Sequence, residues 1–348
     1  MPDIDLRTLW NQRADLAQAS LFRYFAAPEP QLLHNRYPCQ PGDDDVFNYW
    51  WLAHAMDVRL DAYERTGDPA WCQQARRIFD NILARNGGSP FNDYFDDMLW
   101  FALATLRLAD ATGDEAFRSV AIRIWHHVRD NGWNEHQGGG IAWRVAQPYY
   151  KNTPANGPFI ILSARLHSRT RESHYLEWAL RTMAWLEQTL VEPDGFVHDG
   201  INRLADGAID KHWRFTYNQG LYLGACVELA RNTGDDDYLR RALRTARTAV
   251  AELMTDGVFA DEGEGGDEGL FKGIFYRYAR LLVDATGDAE LRATLLNSTN
   301  ILWERGFAEG ETLAGNDWSR PPTGSVAYST QLSAIMATEA CAALAAAR

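Results

Sequence analysis

The chain has 348 residues, 46% of them hydrophobic and 23% charged, the proportions of a soluble globular protein with ample surface to bury; a disordered or fibrous chain is excluded. A formal net charge of −13 with no basic patch excludes binding along a phosphate backbone, so no nucleic-acid partner is expected. No run of 18 apolar residues predicts a membrane span.

The first twenty residues carry Asp5, Arg7, Arg13 and Asp15 and no apolar stretch, so no signal peptide is visible. As written the chain reads as cytoplasmic, although a secreted or cell-surface protein trimmed at its N-terminus would read the same. Cys39, Cys72, Cys226 and Cys341 are widely spaced without a C-x-x-C pair. Free thiols are expected, and neither a zinc site nor a disulfide framework.

Along the chain, one junction recurs between helix-like stretches: Thr66-Gly67-Asp68, Thr112-Gly113-Asp114, Thr233-Gly234-Asp235 and Thr286-Gly287-Asp288. Glycine suits the left-handed residue just past a helix end, and the Asp can cap the next helix. Gly67 and Gly113 are 46 residues apart, Gly113 and Gly234 121, and Gly234 and Gly287 53. The middle gap is about double, which predicts a degenerate fifth copy; Thr170-Arg171-Glu172-Ser173 fills it. The Ala-rich stretches Ala242 to Leu253 and Leu332 to Ala347 read as outer helices, the second completing a sixth pair. Six helical hairpins in series predict an all-α fold, an (α/α)6 barrel of inner and outer helix rings, as one domain over residues 1–348. Short strands are expected only in loops.

Four long segments between hairpins concentrate glycine, aromatic and polar residues: Asn86 to Asp97, Asn131 to Pro158, Asp194 to Gly220 and Asp256 to Gly273. Loops of that kind on a rigid scaffold are where a binding cleft is expected. In the first, Asp96 and Asp97 stand immediately before the apolar run Met98 to Leu108. Asp at a helix start also serves as a simple cap. Two adjacent carboxylates at a helix terminus can instead face one sugar, and glycosidic bond cleavage with retention needs two such groups roughly 5–5.5 Å apart. The 13 Trp and 12% aromatic content suit stacking on sugar faces as well as core filling.

The Asp-Asp segment resembles the motif of glycoside hydrolase family 76, the endo-α-1,6-mannanases and related transglycosidases. Other segments resemble the family in order: Phe47-Asn48-Tyr49-Trp50-Trp51 with His54; Gly138-Gly139-Gly140-Ile141 with Trp143; Lys151-Asn152 with Asn156-Gly157-Pro158; Asp199-Gly200-Ile201-Asn202; Phe215 to Gly220; and Phe271 to Phe275 with Arg277-Tyr278. Ala142 stands where the family usually has a tryptophan. The resemblance spans about residues 45 to 285 and implies the same barrel, with Asp96 as nucleophile and Asp97 as general acid/base. It implies an α-mannan or manno-oligosaccharide substrate contacted by Asn92, Tyr94, Trp50, Trp51, Trp143, Asn152, Asn156, Asp199, Tyr217, Asn218 and Gln219.

No metal or cofactor is expected. The nine histidines form no metal-binding spacing, His126-His127 falls on an outer helix, and the acidic run Asp261 to Glu268 fails the EF-hand pattern. Transglycosylation is the alternative within the family. Outside it stand a sugar epimerase or isomerase on the same barrel, and a glycan-binding protein without catalysis.

Overall fold

In this computed structural model residues 5–263, 266–308 and 310–346 are described; Glu264 and Gly265 of the acidic run, and Ala347, lie outside them. The described residues form twelve α-helices and three two-stranded sheets, and the chain divides into two compact units, Met1–Arg85 with Leu253–Arg348, and Asn86–Glu252. No helix among the described residues is long and apolar enough to cross a membrane.

The second unit holds α4 (Phe95–Thr112), α5 (Glu115–Gly132), α6 (Thr153–Thr170), α7 (Ser173–Thr189), α8 (Thr216–Thr233) and α9 (Asp237–Leu253). The even-numbered helices are buried on nearly every face; α8 buries each residue from Thr216 to Ala230. They pack side by side, and α5 and α7 pack on α4 and α6. Outer helices are amphipathic: α9 buries only Ala242, Thr245, Ala246 and Ala249, so a stripe of small residues seats it while its arginines stay on the other face.

The first unit holds α1 (Leu6–Phe25), α2 (Tyr49–Thr66), α3 (Pro69–Arg85), α10 (Phe271–Thr286), α11 (Ala289–Ile301) and α12 (Tyr328–Ala346). Here the sequence reading needs correction. Helix α12 is not an outer helix: it is buried on all sides, packed by α10, α2 and α1, and α1 is its outer partner. Alanine gives high helix propensity, but it also lets neighbours approach closely from every direction, so an Ala-rich stretch suits a fully enclosed helix equally well. Two of the small sheets lie in this unit. In one, Arg36–Tyr37 (β1) pairs with Val326–Ala327 (β6); in the other, Met254–Thr255 (β4) pairs with Val258–Phe259 (β5).

The repeated junctions share one hydrogen-bond pattern. At Thr66, Thr112, Thr233 and Thr286 the hydroxyl donates to the carbonyl four residues earlier and accepts from the amide two residues later. The glycine between is left-handed, with φ from 68° to 73°. Thr170 makes the same two bonds, to Leu166 O and from Glu172 N, and Arg171 takes the left-handed position at φ 65°. The fifth junction is therefore present, with a side chain where its siblings have none.

Candidate active site

The carboxylate pair lies in the second unit, in the first turn of α4. A short antiparallel contact sets its surroundings: Phe95 N donates to Trp143 O at 2.9 Å, Val145 N to Asp93 O at 2.9 Å, and Tyr94 bridges Arg144. This pairing brings the Trp143 side chain over the helix start, where its indole Nε1 donates to Asp96 Oδ2 at 3.1 Å. Asp97 N donates to the other oxygen, Oδ1, at 3.0 Å. Asn92 Nδ2 lies 3.4 Å from Asp97 Oδ2, and Asn92 Oδ1 accepts from Tyr94 N at 2.8 Å. Both aspartates are half-buried. Two N–H donors and the helix N-terminus favour Asp96 as an anion.

Trp143 is fixed from several sides. Its ring meets Tyr94 edge-on at 5.3 Å and Tyr150 at 5.8 Å, and the Arg144 guanidinium lies over it at 4.7 Å. Arg144 also donates to Tyr94 Oη at 3.2 Å.

Asp199 is enclosed beside this group. Lys151–Asn152 (β2) pairs with Gly200–Ile201 (β3), which draws Asp199 next to Tyr150. Only 1% of Asp199 is exposed. Its oxygens accept from Tyr217 Oη at 2.5 Å, Asn218 Nδ2 at 3.1 Å, Tyr150 Oη at 3.0 Å and Arg203 Nη2 at 2.8 Å. Burial raises the Asp199 pKa despite these donors, and burial beside Asp199 pushes the Tyr217 hydroxyl well above its ordinary value. Arg203 joins Asp210 and Tyr150 in the same network. With its hydrogen bonds directed to protein groups, Asp199 holds Tyr217 and Tyr150 in place.

Three residues expected to read sugar hydroxyls hydrogen-bond the protein's own backbone through their side-chain amides. Asn152 caps α6, accepting from Ala155 N. Asn156 accepts from Ile141 N at 2.7 Å and donates to Ile141 O and Asn152 O. Gln219 accepts from Val197 N at 2.9 Å and donates to Val197 O and Phe215 O. A buried side-chain amide offers the same donor and acceptor pair as a strand, and an unpaired loop residue takes it up. Gln331 at the start of α12 does likewise with Ala314 N and Thr312 O.

Trp50 and Trp51 belong to the first unit, where both indoles donate to Asp267 Oδ1, at 3.0 and 2.8 Å. Trp100, four residues on from Asp96 in α4, is buried. Tyr150, Arg203, Asp210 and Arg144 escaped the sequence reading. The buried Lys151, quoted there without a role, donates to Gly140 O at 2.6 Å, and burial lowers its pKa to about 7. It ties down the glycine run that leads to Trp143.

Residues 9–347 match the family model described as glycosyl hydrolase family 76. The chain is 28% identical over 301 residues to the mannan endo-1,6-alpha-mannosidase DCW1 of Eremothecium gossypii, covering 75% of this chain and 62% of that protein; it thus spans about three-fifths of that relative. Among solved structures it resembles the Lin0763 protein of Listeria innocua at 49% identity and TM-score 0.95, over 96% of this chain and 97% of that one. It also resembles an α-1,6-mannanase from a Salegentibacter species at 36% identity and TM-score 0.90, over 96% and 99% of the two chains. That protein is an inactive variant with two consecutive aspartates changed to asparagine, in complex with α-1,6-mannotriose. The all-α helical-barrel class expected from the junction repeat is the fold of these structures, and the chain belongs to glycoside hydrolase family 76.

Proposed function

We propose that this protein is a retaining glycoside hydrolase that cleaves α-1,6-linked mannose chains. The observation carrying this reading is the carboxylate pair at the head of α4, with Asp96 held by Trp143 Nε1 at 3.1 Å and Asp97 N at 3.0 Å. The similarity to a mannan endo-1,6-alpha-mannosidase and to an α-1,6-mannanase bound to mannotriose supports the substrate class. Asp96, oriented and kept anionic by its donors, attacks the anomeric carbon. Asp97 delivers its proton to the departing O6 oxygen, leaving a glycosyl ester on Asp96. Asp97, now a carboxylate, then takes a proton from water, which attacks the same carbon and frees Asp96. A sugar hydroxyl in place of water gives transglycosylation through the same ester. Nothing in the site favours an epimerase.

Asp96→Asn and Asp97→Asn should each abolish release of reducing ends from linear α-1,6-manno-oligosaccharides while leaving the fold intact by circular dichroism. NMR of the first product should show the α-anomer. Normal turnover by either variant, or β-anomer as first product, would overturn the proposal.

A further inference from the structure

The segment between α1 and α2, in the first unit, brings three different metal-ligating side chains together. His34 Nδ1, Cys39 Sγ and an Asp44 oxygen all lie within 4.8 Å of one another. His34 Nδ1 is 2.6 Å and Cys39 Sγ 3.7 Å from Asp44 Oδ2. We propose that these residues form a binding site for a borderline-soft divalent cation, zinc above all, with water completing the coordination.

The geometry is close to what such an ion needs. Tetrahedral zinc with bonds of about 2.0–2.3 Å puts its ligand atoms roughly 3.3–3.6 Å apart. The Cys39–Asp44 separation is already near that spacing, and the His34–Asp44 pair has to open by less than about 1 Å. The donor set, one imidazole, one thiolate and one carboxylate, matches zinc and not the all-oxygen shells of calcium or magnesium.

The scaffold around the three is preformed. Asn35 N donates to Asp44 Oδ1 at 2.8 Å, which turns Oδ2 toward His34 and Cys39. The buried Asn35 side chain donates to Asp43 O and Val46 O, both at 2.9 Å, and Asp43 Oδ2 accepts from Gln40 N at 2.8 Å. The loop is thereby closed on itself before any ion arrives. The three side chains stay partly open to solvent, which leaves a route of entry and a place for the water ligand. Burial and the nearby Asp44 and Asp43 carboxylates raise the Cys39 thiol pKa, a cost that a bound dication reverses. Binding releases the Cys39 proton to solvent and replaces the His34–Asp44 hydrogen bond with two metal bonds. The ligands recur every five residues in an irregular loop, a spacing outside the familiar zinc patterns, which is why the sequence reading expected no such site.

Titration of the full chain with Co2+ under reducing conditions tests this. One equivalent should produce the near-ultraviolet charge-transfer band of a thiolate–cobalt bond, and Zn2+ should displace it. Cys39→Ser should remove the band, whereas Cys72→Ser should keep it. Asp44→Asn, which retains an oxygen for Asn35 N, should weaken Zn2+ binding by more than the roughly 10- to 100-fold that loss of an outer hydrogen-bond partner costs. Absence of the band from the unaltered protein, its survival in a folded Cys39→Ser variant, or unchanged Zn2+ affinity in Asp44→Asn would overturn the proposal.

Discussion

Acid should unfold this protein partly through one histidine. His54 is 3% exposed in α2, with its ring edge-on to Trp50 at 5.6 Å. Burial lowers its pKa to about 3; Asp57 and Asp61 oppose that shift and Arg277 adds to it. The folded protein therefore keeps His54 neutral at pH values where the unfolded chain, titrating near 6.5, has bound a proton. Between those two values the unfolded state binds more protons, so stability falls as pH drops from about 6.5 toward 3. At pH 4.5 the loss from this one group is roughly 2–3 kcal/mol, and it levels off near 5 kcal/mol below pH 3. Other carboxylates titrate over the same range, so the measurement must be a difference. His54→Gln removes the titration while keeping a polar side chain of similar reach. Urea unfolding of both proteins, followed by tryptophan fluorescence from pH 7.5 to 4.5, should show the parent's advantage over the variant shrinking by about 2–3 kcal/mol. Parallel curves, or a His54 ring that titrates near 6.5 by NMR, would refute the reasoning.

Trp143→Phe keeps the ring but removes the donor to Asp96 Oδ2; a hydrogen bond to a charged group contributes about 1.5–3 kcal/mol, so kcat on α-1,6-mannotetraose should fall roughly 10- to 100-fold. A change within twofold would remove Trp143 from the reaction. Gly140→Ala places a Cβ 2.8 Å from the Trp185 ring at φ +84°, and overpacking together with the left-handed backbone should cost about 2–4 kcal/mol in urea unfolding. Arg171→Gly relieves a left-handed residue at φ 65° and should raise stability by about 0.5–1 kcal/mol, visible as a higher urea midpoint with unchanged slope.

The junctions were legible in the sequence because they obey local rules. A threonine, a left-handed residue and an acid lie within three positions, so even the copy with Arg171 is recognisable. The start of α4 was legible for the same reason. What failed was anything decided by distant neighbours. The alanines of α12 state that neighbours approach closely without stating from how many sides. The amides of Asn156 and Gln219 bond loop backbone 15 and 22 residues away, a pairing that no local spacing announces. The Asp199 network joins Tyr150 and Tyr217 across separations of 49 and 18 residues, beyond the reach of any spacing argument.

The side-chain amides of Asn156, Gln219 and Gln331 fasten the segments before their helices by gripping main-chain N–H and C=O groups, Gln331 donating to Ser20 Oγ as well. Such a grip is indifferent to which residues the gripped segment carries. The hydrogen bonds at Ile141, Val197 and Ala314 depend on the main chain of those residues and not on their side chains, which are held separately by burial in the core. A scaffold fastened in this way can acquire a new glycan preference by altering loop side chains while its helices stay as they are.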